Sequence, residues 1–207
     1  SKEFVLTDHL QEILSTVSLR AQDQGIDFEM RFESRIPRSI STDAVRLKQV
    51  LLNLLSNAIK FTEQGRVVLS VSYFEPFLKF RITDTGTGIP LEHQDRLFRT
   101  FEQADASSSR KFGGTGLGLV LARHLARELG GNLSLVSSVP GKGSVFEAYI
   151  RPVVERDAEF VDPGVFGLQL PLVGHRRSGA RLRDLNLLIV EDSEDNQMLF
   201  LSYLRDS

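Results

Sequence analysis

The chain has 207 residues, 41% hydrophobic and 25% charged, with 25 Lys plus Arg against 27 Asp plus Glu and a formal net charge of -2. That balance excludes wholesale disorder and any general electrostatic pull on nucleic acid or anionic lipid. With no cysteine there is no disulfide framework or thiolate metal site, which fits the cytoplasm, and no apolar run approaches the ~20 residues of a membrane helix.

The N-terminus, SKEFVLTDHL, has neither the basic start nor the apolar core of a signal peptide. The length suits one well-buried domain and part of a second. Thr7 or Asp8 is placed to cap a first helix, in which Leu10, Ile13, Leu14, Val17 and Ala21 recur at helical spacing up to Gly25. IDFEMRF then alternates as a strand, and Pro37 breaks the pattern. Asp43 starts a second helix that runs to about Phe61. RVVLSVSYF and FLKFRI predict a hairpin turning at Glu75 and Pro76. A loop, DTGTGIP, leads to a short helix, LEHQDRLF, and the polar ADASSSRKFGG predicts a mobile loop. A third helix begins near Gly116 and stops at Gly130 and Gly131. NLSLVSS and SVFEAYI predict two strands joined by PGKG. The order predicts a two-layer α/β sandwich, a mixed sheet with helices on one face. From about 152 to 184 proline, glycine and scattered charge predict a linker, followed by an apolar strand, LNLLIV, and an acidic turn.

Three clusters carry candidate chemistry. On the second helix, Val50, Leu51, Leu54, Leu55 and Ala58 share one side, while Asn53, Asn57 and Lys60 share another with Arg46. Two amides and an ammonium suit a metal–phosphate cluster, since an Asn carbonyl ligates Mg²⁺ and Lys meets phosphate; a plain solvated face is the alternative. Asp84 ends a strand ahead of Gly86 and Gly88, where backbone approaches a ligand closely. Its carboxylate would accept from the adenine amine and repel the guanine carbonyl; a simple chain-reversing turn is the alternative. Gly113, Gly114, Thr115, Gly116, Leu117 and Gly118 enter the third helix behind Arg110 and Lys111. Free N–H groups at a helix start attract phosphate; a flexible hinge is the alternative. No Walker A Lys-Ser/Thr follows these glycines, and no strand precedes them as a dinucleotide fingerprint requires.

In their order these segments resemble the ATP-binding catalytic domain of bacterial sensor histidine kinases, within the Bergerat-fold class. NLLSNAIKFT resembles the asparagine box, DTGTGI the first glycine box, LFRTFEQAD the phenylalanine box and GGTGLGL the second glycine box, over roughly residues 3 to 152. The resemblance implies ATP and Mg²⁺ as cofactors. Asn57 would ligate Mg²⁺, supported by Asn53. Lys60 would contact phosphate and Phe61 would border adenine. Asp84 would take the adenine amine, with Gly86, Gly88 and Ile89 shaping the pocket. Phe98 and Phe101 would anchor a lid, Arg110 and Lys111 would meet phosphates, and Gly114, Thr115, Gly116, Leu117 and Gly118 would close on the phosphate tail.

The Bergerat ATPases place a Glu four residues before the metal-binding Asn. Here that residue is Asn53, and an amide takes no proton at neutral pH. That favours a phosphotransferase over a hydrolase; a non-catalytic nucleotide-binding module is the other reading. His9, His93, His124 and His175 lack the context of a phosphoacceptor. The expected partner is therefore a histidine-bearing dimerisation domain outside this chain, in a homodimeric parent with possible membrane anchoring elsewhere. Residues 185–207 resemble the start of a response-regulator receiver domain, with Glu191 and Asp192 as its acidic Mg²⁺-binding pair. The expected division is 1–152 catalytic domain, 153–184 linker and 185–207 truncated receiver, with a receiver domain or response regulator as second partner.

Overall fold

The computed structural model describes residues 2–98 and 117–163. The proposed mobile loop, most of the proposed linker and the proposed receiver segment lie outside the described residues.

Nine strands are present among the described residues: β1 (Lys2–Val5), β2 (Asp27–Phe32), β3 (Ile36–Pro37), β4 (Ser39–Thr42), β5 (Arg66–Phe74), β6 (Phe77–Asp84), β7 (Asn132–Val139), β8 (Gly143–Ile150) and β9 (Phe160–Val161). The helices are α1 (Leu6–Asp23), α2 (Ala44–Lys60), α3 (Leu91–Gln94) and α4 (Leu117–Glu128). The main sheet has the order β2-β5-β6-β8-β7. Its β2–β5 pair is parallel and the remaining pairs are antiparallel, so the sheet is mixed as expected. Alternation along β6 and β8 buries Leu78, Phe80, Ile82, Phe146, Ala148 and Ile150 on one face. The buried stripes of α1 (Leu10, Ile13, Leu14, Val17) and α2 (Leu47, Leu51, Leu54, Leu55) complete the core.

The helix ends follow local chemistry. Asp43 caps α2, its carboxylate accepting from the Arg46 N–H at 3.0 Å. The start of α1 differs from expectation. It begins at Leu6, whose side chain already belongs to the buried stripe, and no side chain caps it. The Arg38 carbonyl serves instead, accepting from the Leu6 N–H at 2.8 Å. Helix α3 ends at Gln94 rather than near Phe98. It buries no residue, so no apolar stripe sustains it; the Arg96 and Leu97 N–H groups reach back only three residues. Beyond α4, Gly130 takes a left-handed φ of 77°. A Cβ on Gly131 would stand 1.7 Å from the Tyr149 carbonyl oxygen, so this C-terminus presses directly on β8.

The sequence did not announce β1, β3 and β4, which pair too briefly to leave a pattern. β1 pairs antiparallel with β4, from Lys2 opposite Thr42 to Val5 opposite Ser39. The boundary placed at 152 does not end the pairing. Val153 exchanges two backbone hydrogen bonds with Ser41, at 2.8 and 3.0 Å. Arg38 N–H donates to the Glu159 carbonyl at 2.7 Å, and β9 pairs with β3. The Phe160 ring lies 5.8 Å from that of Tyr73. Residues 153–162 thus strap the N-terminal strands, although their composition reads as linker.

A chain ending at Pro152 is expected to be less stable than one ending at Pro163 by about 1–2 kcal/mol, the net worth of a few backbone hydrogen bonds. Urea unfolding of the two chains checks this; equal midpoints would mean the strap is passive.

Candidate functional site

The site is assembled at the C-terminal half of α2, the end of β6 and the loop that follows it. On α2 the polar arc is half-buried at Asn53, Asn57 and Lys60, while Leu54, Leu55 and Ala58 face the core. The helix stops at Phe61, whose N–H donates to the Asn57 carbonyl at 3.0 Å. Lys60 Nζ lies 5.1 Å from the centroid of the Phe61 ring, a cation–π distance. Thr62 is buried, and its hydroxyl donates to the Ala58 carbonyl at 2.7 Å.

The Phe61 carbonyl accepts from the Thr87 N–H at 3.0 Å, which joins the end of α2 to the glycine loop. Gly86 sits directly against that carbonyl: a Cβ there would lie 2.2 Å from the Phe61 oxygen. On its other side the loop meets the β7–β8 turn. Gly88 has φ +65° and would bring a Cβ to 2.1 Å from the Val139 carbonyl oxygen. The Gly141 N–H donates to the Thr87 carbonyl at 2.7 Å, and the Ile89 N–H to Ser138 Oγ at 2.8 Å. Gln94 Nε2 donates to the carbonyls of Ile89, at 2.9 Å, and Ser138, at 3.2 Å.

Asp84 stands at the centre and is 6% exposed. Its Oδ1 accepts from the backbone N–H groups of Gly86, at 2.9 Å, and Ser144, at 3.2 Å. Among the described residues it has no ion pair. Burial therefore pushes its pKa up, and the two N–H groups only partly oppose that. A carboxyl group is thus kept in a poorly solvated place, with Oδ1 engaged by two backbone N–H groups and no hydrogen bond to Oδ2 from the described residues.

Helix α4 closes the site against α2. Asn53 Nδ2 donates to the Gly118 carbonyl at 3.2 Å, and Arg46 Nη1 meets Glu128 Oε2 at 2.8 Å. Phe98 is held from α4: the Arg123 guanidinium lies 4.4 Å from its ring centroid and donates to its carbonyl at 3.0 Å. The structure thus brings Asn53, Asn57, Lys60, Phe61, Asp84, Gly86, Gly88 and Ile89 into adjoining elements, with Leu117 and Gly118 on the facing helix. Phe101, Arg110, Lys111, Gly114, Thr115, Gly116, Glu191 and Asp192 lie outside the described residues.

Sequence reasoning missed Ser138, Gly143, Ser144, Gln94 and Arg123. Only Gly143 left a trace, as part of a strand-joining PGKG. It has φ +97°, and its Cβ would stand 1.9 Å from the Asp84 carbonyl oxygen. Of the histidines, His124 is exposed and lies 3.5 Å from Glu128. His9 packs edge-on to Phe4 at 4.9 Å, and burial lowers its pKa.

Comparison with known proteins places the chain in a family. The chain is 41% identical over 153 residues to the signal transduction histidine-protein kinase BarA of Escherichia coli K12, covering 72% of this chain and 17% of that protein. It is 37% identical to the aerobic respiration control sensor protein ArcB of the same organism, covering 96% of this chain and 24% of ArcB. The chain therefore spans less than a third of the curated relatives it matches. Among solved structures, full-length ShkA in complex with AMPPNP superposes with a TM-score of 0.65 at 30% identity, covering 74% of this chain and 31% of that one. The catalytic domain of histidine kinase ThkA gives a TM-score of 0.60 at 26% identity, covering 72% of this chain and 94% of that one. Residues 42–153 match the family described as histidine kinase-, DNA gyrase B- and HSP90-like ATPase, and the chain belongs to that family.

Proposed function

We propose that this chain is the ATP- and Mg²⁺-binding catalytic domain of a two-component sensor histidine kinase, which presents the γ-phosphoryl of ATP to a histidine on a separate dimerisation domain. The observation that carries this reading is Asp84, a buried carboxylate with no ion-pair partner among the described residues, whose Oδ1 is held by two backbone N–H groups beside the glycine loop. The names of BarA and ThkA as histidine kinases and the AMPPNP bound by ShkA support it.

Asp84 Oδ2 would accept from the adenine amine, with Gly86, Gly88 and Ile89 beside the ring and Phe61 at its border. Asn57 would offer one amide oxygen to Mg²⁺. Among the described residues no group of three or more His, Cys, Asp or Glu is placed to hold a metal. One neutral ligand suits an ion that arrives bound to the nucleotide's phosphates. There Mg²⁺ would neutralise phosphate charge, and Lys60 would add a further positive charge. Asn53 has its carbonyl engaged by Gln49 at 3.1 Å and is no proton acceptor, which favours phosphotransfer over hydrolysis. Catalysis would then rest on positioning and charge neutralisation.

Beyond the catalytic domain, 185–207 would begin a receiver domain, with Glu191 and Asp192 as its acidic pair. The ArcB alignment supports shared ancestry there, since it covers 96% of the chain against 72% for BarA. A receiver or response regulator would be the downstream partner, and the parent a homodimer acting in the cytoplasm. No helix among the described residues is long and apolar enough to cross a membrane.

Asn57→Ala is expected to cost on the order of 10-fold or more in Mg-ATP affinity, as for a lost contact to a charged group. The fold should survive, because Asn57 lies off the core stripe. Calorimetric titration with parallel thermal unfolding checks both; equal affinities would remove Asn57 from the site.

For Asp84 the pH sign follows from its raised pKa. A native pKa above the unfolded value means the native chain binds the proton more tightly. Asp84's contribution to stability therefore declines as pH rises from the unfolded pKa to the folded one. Asp84→Asn keeps an acceptor for Gly86 and Ser144 and removes that penalty. It should be at least as stable as the parent at neutral pH, with the advantage fading in acid. ATP binding should weaken roughly 5- to 150-fold, the equivalent of about 1–3 kcal/mol for a mismatched buried polar group. Unfolding at both pH values and competition between ATP and GTP test this; an unchanged ATP preference would place selectivity elsewhere.

The chain incubated with labelled ATP is expected not to label itself, and to transfer label to a supplied histidine-bearing dimerisation domain. Acid-labile phosphate on the chain alone would contradict this.

A further inference from the structure

We infer that Gln49 is a positioning residue: its amide orients Asn53, and through Asn53 it holds the first turn of α4 against α2. Its consequence for nucleotide binding rests on the function proposed above.

A side-chain amide has one acceptor end and one donor end, and nothing in its shape selects between two flipped orientations. At Asn53 the neighbours select. Gln49 Nε2 donates to Asn53 Oδ1 at 3.1 Å, and Asn53 Nδ2 donates to the Gly118 carbonyl at 3.2 Å. A flipped Asn53 would set its own oxygen against the Gly118 oxygen, acceptor to acceptor. Gln49 and Asn53 are four apart on α2, so their side chains are neighbours on one face.

What Asn53 holds is the start of a helix. Gly118 is the second residue of α4 over its described range, Leu117–Glu128, and the first-turn N–H groups of any helix lack intrahelical acceptors. A Cβ on Gly118 would meet no atom of the described residues within 4 Å, and the Asn53 amide reaches the backbone carbonyl at this position. The far end of α4 is joined to α2 by Arg46 and Glu128 at 2.8 Å. The two helices are therefore fastened at both ends, with Asn53 at the end that would face phosphate.

Gln49 and Asn53 also line a groove of about 230 Å³ between α1 and α2, so solvent reaches them. Slow exchange of the Asn53 side-chain NH₂ would thus report the hydrogen bonds rather than burial.

Gln49→Met keeps side-chain length, removes the donor and changes no charge; Gln49 is exposed, so the fold should hold. The experiment titrates the parent, Gln49→Met, Asn53→Ala and the double variant with Mg-AMPPNP and with adenosine. It also follows the Asn53 side-chain NH₂ by NMR in the nucleotide-free parent and Gln49→Met. The expected result is a roughly 3- to 10-fold weaker Mg-AMPPNP Kd for Gln49→Met, the scale of one lost hydrogen bond. Adenosine affinity should be unchanged, Gln49→Met should add nothing in the Asn53→Ala background, and the Asn53 NH₂ should shift and exchange faster. An unchanged Mg-AMPPNP Kd, an equal loss for adenosine, or full additivity with Asn53→Ala would overturn the inference. A parent that binds neither ligand would remove the nucleotide reading. In that case an unaltered Asn53 NH₂ in Gln49→Met would also overturn the relay, and an altered one would support it.

Discussion

Burying a carboxylate is unfavourable unless donors replace the lost water. At Asp84 the replacement is two backbone N–H groups, from Gly86 and Ser144, converging on one oxygen. Much of the site's geometry follows from that requirement. For the Gly86 N–H to reach Oδ1, the loop must fold back over its own strand end, which brings Gly86 against the Phe61 carbonyl. For the Ser144 N–H to reach the same oxygen, β8 must start close to the Asp84 backbone, and Gly143 leaves no room for a Cβ there. The end of α2, the glycine loop and the β7–β8 turn thus share one anchor, and glycine is required at both approaches.

Helix α2 links this anchor to the core. Its apolar stripe is fully buried beneath the sheet, and its other arc carries Asn53, Asn57 and Lys60 at the proposed phosphate end. A polar arc fixed by a buried stripe holds its side chains more precisely than a loop does. The Arg46–Glu128 pair is part-exposed and is worth at most about 1 kcal/mol, so its role is alignment of α4 more than stability. The tie from Asn53 to Gly118 is comparably modest in energy and matters for the same reason.

Most of the large elements were legible in the sequence because their patterns are long. The stripes of α1 and α2, the alternation of β2, the strands β6 and β8, and the glycine stop after α4 all correspond to observed structure. The short strands β1, β3, β4 and β9 were not legible: two to four residues carry no period, and their pairing is decided by partners far away in the chain. The strap from 153 to 162 reads as linker because its hold is backbone bonding and two exposed ion pairs, Arg35–Asp162 and Arg38–Glu159, rather than an apolar run. The site divided in the same way. Asp84 and its glycines stood out as a local motif, whereas Ser144, sixty residues further on, contributes a backbone N–H that any residue but proline could supply. Gln49 was invisible for a related reason: an exposed glutamine on a helix looks like solvated surface until its partner is seen.

The central claim is that the Asp84 carboxylate receives adenine. The most direct measurement is amide shift mapping by NMR as adenosine, which has no phosphate, is added without Mg²⁺. The account predicts saturable shifts at the Gly86, Gly88 and Ser144 amides, with α1 and the 153–162 strap unaffected. Shifts absent from those three amides, or concentrated on another part of the chain, would contradict it.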